Sequence, residues 1–346
     1  MVKGMAFGAG AARLAAAPAR SARATRQHVD ALFSPQRVRV SDELRALSLS
    51  CLSALLSDIA EDLSALAQQR AADTKAVLRQ LEDGAFVQQP EIASALLHRA
   101  EDHQVEMRLR RLAFVAESEI TSSPQSLIDR CAHDEDSGLA RLAELYRDAR
   151  GGRIDKNQQP VLNAAELPDA LASALVWQVA GALANGANAA ESRAWHDASR
   201  RLNARRDVSQ SVQHRAARLA VRLDERGELD SALLIRALGD ADPVLAAAIV
   251  AVKAKITLVT AWTLLFREDV DALLALLLAL GCEKSDVSRV VELLLRVSRL
   301  GDEPADVAAQ AAAVELEIGA EGLAALLDYW RLDPAFRAVL EMSSQT

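Results

Sequence analysis

The chain reads as all-α, a HEAT- or armadillo-like helical repeat array (an α-solenoid) in one or two helical blocks. The first reason is composition: 51% of the 346 residues are hydrophobic but only 3% are aromatic, so the cores must be built from Ala, Leu and Val. Alanine and leucine favour helices, and an Ala-rich interface lets helix axes approach closely. The second is recurring helix punctuation from residue 41 onward, with almost no alternation of period two. The third is a repeated ending: "IRALGD" (Ile235–Asp240) and "LLALGC" (Leu277–Cys282) place Leu-Gly pairs 42 residues apart, within the HEAT and armadillo range. Another Leu-Gly, Leu300-Gly301, follows at about half that period.

Residues 1–40 are expected to be a basic, loosely ordered arm, too interrupted by arginine for a secretory signal. Their "RVRV" at 37–40 is too short to found a sheet. An N-terminal helical block spans 41–150. Ser41-Asp42 opens "SDELRALSLSCLSALLSDIAEDLSALA", whose leucines recur at helical spacing. Asp73 opens "DTKAVLRQLEDG", which Gly84 would close in a left-handed cap. Ser123-Pro124 reads as a cap followed by proline in the first turn, and Leu167-Pro168 and Asp242-Pro243 resemble it. Residues 151–166, within "ARGGRIDKNQQPVLNAAELP", are a polar connection, either a domain linker or a long inter-helix loop. A C-terminal helical-repeat block then runs over 167–346.

Several classes of chemistry find no support in the residues. Cys51, Cys131 and Cys282 are isolated and odd in number, which suits buried thiols in a reducing compartment better than disulfides or a zinc site. The longest apolar run, Ala272–Gly281, is about half a bilayer crossing, so no membrane span is expected. Glycine patterns of nucleotide or dinucleotide sites and the nucleophile elbow are absent, and no catalytic, cofactor-binding or metal-binding residue is assigned. "AHDEDSG" (132–138) lacks the ligand alternation of a calcium loop; its acids suit the start of the following helix.

"HRAEDHQVEMRLRR" (98–111) invites a metal reading, but five helical steps put His98 and His103 about 140° apart. Instead His103 aligns with Leu96, Ala100, Met107 and Phe114, and His98 with Val105, Leu109 and Leu112. Two apolar stripes describe a helix packed on two sides, with its charges on the flanks and Glu106–Arg110 as a pair.

The net charge of −8 conceals two basic islands, each of local net +6, at residues 1–40 and 192–222. In "SRAWHDASRRLNARRD" (192–207), Arg193, Arg200, Arg201, Arg205 and Arg206 would face a partner or a polyanion, with Trp195 as an anchor.

The segments at 41–67, 96–111, 153–183 and 234–282, in that order, resemble an uncharacterised alphaproteobacterial helical family, domain of unknown function 2336. The resemblance covers most of residues 35–300 and implies an all-helical, HEAT-like protein of the bacterial cytoplasm, with no catalytic residue to carry over. Gln178 departs from the second tryptophan that often follows Trp177, and the first helix is poorer in arginine than usual. The expected function is a non-enzymatic scaffold or adaptor, with a regulatory role among its uses, that binds a protein partner and needs no cofactor. The rival is nucleic-acid or other polyanion binding through 1–40 and 192–222.

Overall fold

The computed structural model describes residues 9–20, 41–69, 75, 79–81, 84, 89–117, 125–267, 270–297 and 307–343. All regular elements among them are helices, and the one β feature among them is an isolated bridge between Ile154 and Pro160. In chain order the α-helices are α1 (Ala9–Ala15), α2 (Asp42–Ala67), α3 (Pro90–Glu117), α4 (Leu127–Ala132), α5 (Ser137–Gly151), α6 (Asp169–Leu183), α7 (Ala189–Arg205) and α8 (Val212–Glu225). There follow α9 (Ser231–Gly239), α10 (Pro243–Ala254), α11 (Leu258–Phe266), α12 (Val270–Ala279), α13 (Lys284–Val297), α14 (Val307–Arg331) and α15 (Pro334–Ser343). Short 3₁₀ turns occupy Ala164–Glu166 and Val208–Gln210.

Side chains that accept the orphan N–H groups of the first turn set many of these starts. Ser41 accepts from Leu44 N at 3.2 Å, and Asp230 from Leu233 N at 2.8 Å. Asp242 accepts from Leu245 N at 3.1 Å ahead of Pro243, the expected cap-then-proline order. Pro168 precedes α6 without a side-chain cap bond, so Leu167-Pro168 only partly follows that pattern. The cap expected at Ser123 lies outside the described residues; α4 is capped by Ser126, which accepts from Asp129 N at 3.1 Å. Asp73, the strand-like 37–40 and Leu300-Gly301 also lie outside them. Gly84 is not left-handed, whereas Gly281, ending the second Leu-Gly pair, is, at φ 72°. Gly319 (φ 69°, ψ 168°) breaks α14 into two segments, a backbone conformation that L-residues avoid.

The chain divides into two compact units, and neither follows the linear blocks 41–150 and 167–346. One contains Met1–Ala24, Gln104–Leu145 and Ala216–Thr346; the other contains Thr25–His103 and Tyr146–Arg215. The reason is that helices distant in sequence pack together, so each unit draws on separated stretches.

In the first unit the helices that lack a polar face are the innermost. α10 is buried from Pro243 through Ala251, and α12 from Ala272 through Leu277. Around them α9 packs on α10, α10 on α11, α11 on α12, α12 on α13 and α13 on α14. No single helix among the described residues is long and apolar enough to cross a membrane; the α10–α11 pair passes on composition but bends by 116°. Residues 9–20, expected as part of a loose arm, instead carry α1. Its Leu14 is fully buried, it packs on α12 and α14, and Arg13 reaches Asp271 at 2.6 Å. The rest of residues 1–40 lies outside the described residues.

The second unit is centred on α2, α6 and α7, which pack pairwise on one another. Leu52, Leu55, Leu56, Ile59 and Leu63 form the stripe of α2 that meets Ala172, Leu175, Val176, Val179 and Leu183 of α6. Ile92 and Leu96 of α3 and Leu162 and Leu167 from the connection close the cluster. The end of the 151–166 connection therefore joins this core, while residues 156–159 are exposed.

Asp242 combines a cap bond with 1% exposure. Asp242→Ala is expected to lower unfolding stability by about 1–2 kcal/mol in urea titrations, with Asn restoring most of it. An unchanged midpoint would show that the cap contributes nothing.

Candidate functional site

The most densely constrained site in the second unit begins with the loop "RIDKNQQPV", residues 153–161. Asp155 Oδ1 accepts from the amides of Asn157 and Gln159, both at 2.8 Å, and Gln158 takes up the left-handed backbone (φ 62°) that turns the chain. Val161 N donates to Arg153 O at 2.8 Å, so the two limbs of the loop lie side by side.

Arg99 of α3 grips both limbs. Its Nε donates to Val161 O at 2.9 Å and its Nη2 to Arg153 O at 2.6 Å, with the residue only 1% exposed. Burial pulls the Arg99 pKa down to about 10, with Arg153 adding repulsion, which leaves the group charged near neutrality. Arg153 in turn points its Nη2 at Asp102 Oδ2 (2.8 Å) and Glu166 Oε2 (3.1 Å), all three side chains being buried. Gln213 donates to Glu166 at 2.8 Å, and Glu166 accepts from Asn163 N at 3.3 Å to complete a capping box. Two cations and two anions are thus enclosed together, Arg153 paired with both carboxylates and Arg99 held by backbone carbonyls.

Cys51 lies beside this network and donates its thiol to Pro160 O at 3.3 Å. Burial pushes the Cys51 thiol up to about 12, against the opposing pull of Arg99 and Arg153. It is a neutral hydrogen-bond donor at pH 7 and a poor nucleophile. Cys131 is also buried, and burial raises both its pKa and that of half-buried Cys282.

The "HRAEDHQVEMRLRR" helix differs from expectation in one respect. Arg99, Asp102 and Glu106 are buried instead of lying on solvated flanks, because the loop, Glu166 and Arg110 supply their partners. His103 is buried, and His98 approaches Asp102 at 3.7 Å. Glu106 and Arg110 do pair, at 2.6 Å. In the first unit, Asp134 and Asp136 of the acidic loop meet Arg226 (2.7 Å) and Arg222 (2.6 Å), which hold both carboxyls below their ordinary range. Asp136 also accepts from Gly138 N and Leu139 N, the helix-start role expected of it. Among the described residues no group of three or more His, Cys, Asp or Glu is arranged to hold a metal ion.

A second feature of the same unit is the outer face of α6 and α7. Of the residues expected to form a partner surface, Arg193, Arg200, Arg201 and Arg205 are exposed. Arg201 nevertheless donates to Leu66 O at 2.7 Å. Arg206 is largely covered and donates to Leu167 O at 2.8 Å and to Asp169 Oδ1 at 2.5 Å. Trp195 is 3% exposed and belongs to the core, so it is no surface anchor. It lies on the Trp195, Ala198, Ser199, Leu202 stripe that faces α2 and α6.

An aromatic of this face that does reach the surface is Trp177, 40% exposed and tilted against the ring of His196 at a centroid distance of 5.5 Å. At about 100° per residue it falls off the Ala172, Val176, Val179, Leu183 stripe, a signal already available in the sequence. Arg193 and Arg200 flank His196 one helical turn away on either side. A cleft of about 560 Å³ adjoins the end of α7, lined by Ile59, Leu66, Val176, Asn203, Arg205 and Gln210 among others.

The described residues thus define an all-α protein with a buried network of ion pairs and backbone acceptors in its second unit. Residues 135–321, more than half the chain, match a family described as "Uncharacterised protein conserved in bacteria (DUF2336)". The chain belongs to that family. The family is described for bacteria in general, and the match begins after the resembling segments at 41–67 and 96–111. No curated protein and no solved structure matches the chain.

Removing one partner of the buried network should be costly: Asp102→Ala is expected to lose up to about 3–5 kcal/mol of unfolding stability, since it takes away one of the two carboxylates that compensate Arg153. A loss below about 1 kcal/mol would mean that solvent already reaches the pair. Cys51 should resist alkylation in the native state and react fully in denaturant. Its raised pKa keeps the proton on the folded form while the unfolded thiol ionises, so its contribution to stability is intact below about pH 9 and falls as pH rises toward about 12. Rapid native labelling at pH 8 would contradict this burial.

Proposed function

We propose that the chain is a non-enzymatic helical-repeat adaptor of the bacterial cytoplasm, binding an acidic segment of a protein partner on the exposed α6–α7 face. The observation that carries this reading is Trp177, an exposed indole propped against His196 between Arg193 and Arg200. Trp and Arg dominate the energetic centres of protein interfaces, because a rigid aromatic offers area and guanidinium groups offer forked donors. In a chain with four tryptophans, leaving one at the surface beside a row of arginines favours a covering partner. The succession of contacts from α9 to α14, each helix on its chain neighbour, supports a stacked-repeat arrangement in the first unit. Catalysis has no part in this reading.

The polyanion alternative draws on the same arginines, but Arg201 and Arg206 are engaged with backbone carbonyls and Arg222 with Asp136. The basic stretch from residue 21 to 40 lies outside the described residues.

The test pairs the wild-type chain with a Trp177→Ala, Arg193→Glu, Arg200→Glu variant in crosslinking and mass spectrometry from the native host. The expected result is a partner whose crosslinks map to an acidic segment and fall at least about tenfold in the variant, with unchanged thermal melting. Crosslinks of equal yield in both proteins would defeat the proposal. A steeply salt-dependent gel shift with nucleic acid, abolished in the variant, would replace it by the polyanion reading.

A further inference from the structure

The first unit carries an open cleft of about 570 Å³ bounded by α4, α9 and α13, remote in sequence from α6 and α7. Its charged lining comprises Arg130, Arg236 and Arg289 together with Glu228, Asp230 and Asp286. By formal charge the two sets cancel, yet their hydrogen bonds leave them unequal. Asp230 accepts from Leu233 N at 2.8 Å as the cap of α9. Asp286 accepts from the Ser231 hydroxyl, and Glu228 takes the Arg226 Nε at 2.6 Å. Each carboxylate is therefore already committed to a donor within the protein.

The guanidinium groups are not used to the same degree. A guanidinium carries about five N–H donors in a planar fork. Arg236 gives one to Gln125 O and approaches Asp240 at 3.4 Å, and Arg130 reaches Glu228 only at 4.0 Å. Arg289 is exposed and has no hydrogen-bond or ion-pair partner among the described residues. Guanidinium donors not spent within the protein thus line a concavity of small-molecule size, about 300–1,000 Å³ being usual.

We propose that this cleft binds a phosphate monoester, its phosphoryl oxygens held by Arg130, Arg236 and Arg289 and its organic part lying along Leu233 and Ile235. A tetrahedral dianion offers more acceptor directions than a carboxylate, which suits several forks approaching from different helices. The cleft also exceeds what inorganic phosphate needs, and the apolar part of its lining gives a carbon skeleton somewhere to rest. This site stands independently of the α6–α7 surface and draws on none of its residues.

The test is calorimetric titration of the full chain with inorganic phosphate, O-phosphoserine and a short phosphoserine peptide, each against a chloride control of equal ionic strength. Saturable binding is expected, tighter for the esters than for phosphate itself. Arg289→Ala should weaken it about tenfold, the loss of a charge-assisted bond, while leaving the melting temperature of the unliganded protein unchanged. Arg141→Ala, an exposed arginine that pairs with Glu144 and does not line the cleft, should bind like wild type. Comparable affinity for the free amino acid and the peptide identifies a small metabolite as the source; much tighter peptide binding identifies a phosphorylated protein. Absence of saturable binding by all three probes, or an equal loss in Arg141→Ala, overturns the proposal.

Discussion

Arg99 is the constraint on which the second unit depends. A guanidinium this deeply enclosed needs acceptors for its donors and an anion near its charge, or the structure would expel it. The loop at 153–161 answers the first need with two carbonyls, and Asp102 and Glu166 answer the second through Arg153. The limbs of the loop are consequently held against the core, Leu162 and Leu167 enter it, and Glu166 is brought to the 3₁₀ turn that leads into α6. The position of α6 against α2 thus follows from a polar clasp as much as from the leucine stripe.

Such a network adds little net stability over a well-packed apolar replacement of the same volume, while its partial loss is severe. Its value is in specificity. Apolar stripes built of Leu, Ala and Val tolerate sliding by one helical turn, because the side chains are much alike. The buried pairs of Arg153 and the two carbonyls gripped by Arg99 are met in one register of these helices and the loop. An Ala- and Leu-rich protein with few aromatics has particular use for such a pin.

The helix starts and buried stripes were readable in the linear sequence because both are local: a cap acts over three residues and a stripe over one or two turns. Ser41 and Asp242 illustrate the first, and α2 the second. The site was much less legible. Arg99, Asp102 and Glu106 look like surface residues on a helical wheel, and the groups that bury Arg99 lie 54 and 62 positions away. The exchange of roles between Trp195 and Trp177 is different, since each indole sits on or off a stripe that the sequence already shows. The polar connection at 151–166 misled for a related reason: its exposed tip is hydrophilic, while its backbone carbonyls at Arg153 and Val161 bind a buried arginine far away in sequence.

The packing of α1 against α12 and α14 bears on how the polypeptide is made. Arg13 and Asp271 are separated by 258 positions, and α14 begins later still. During ribosomal synthesis, at about 5–20 residues per second, Leu14 and its neighbours emerge many seconds before the surface that will cover them. The second unit has its last segment in hand by Arg215 and is free to condense in that interval. The first unit must wait with its earliest helix uncovered, a contact of high order and slow closure. A helix made long before α12 and α14 is therefore among the last to find its place.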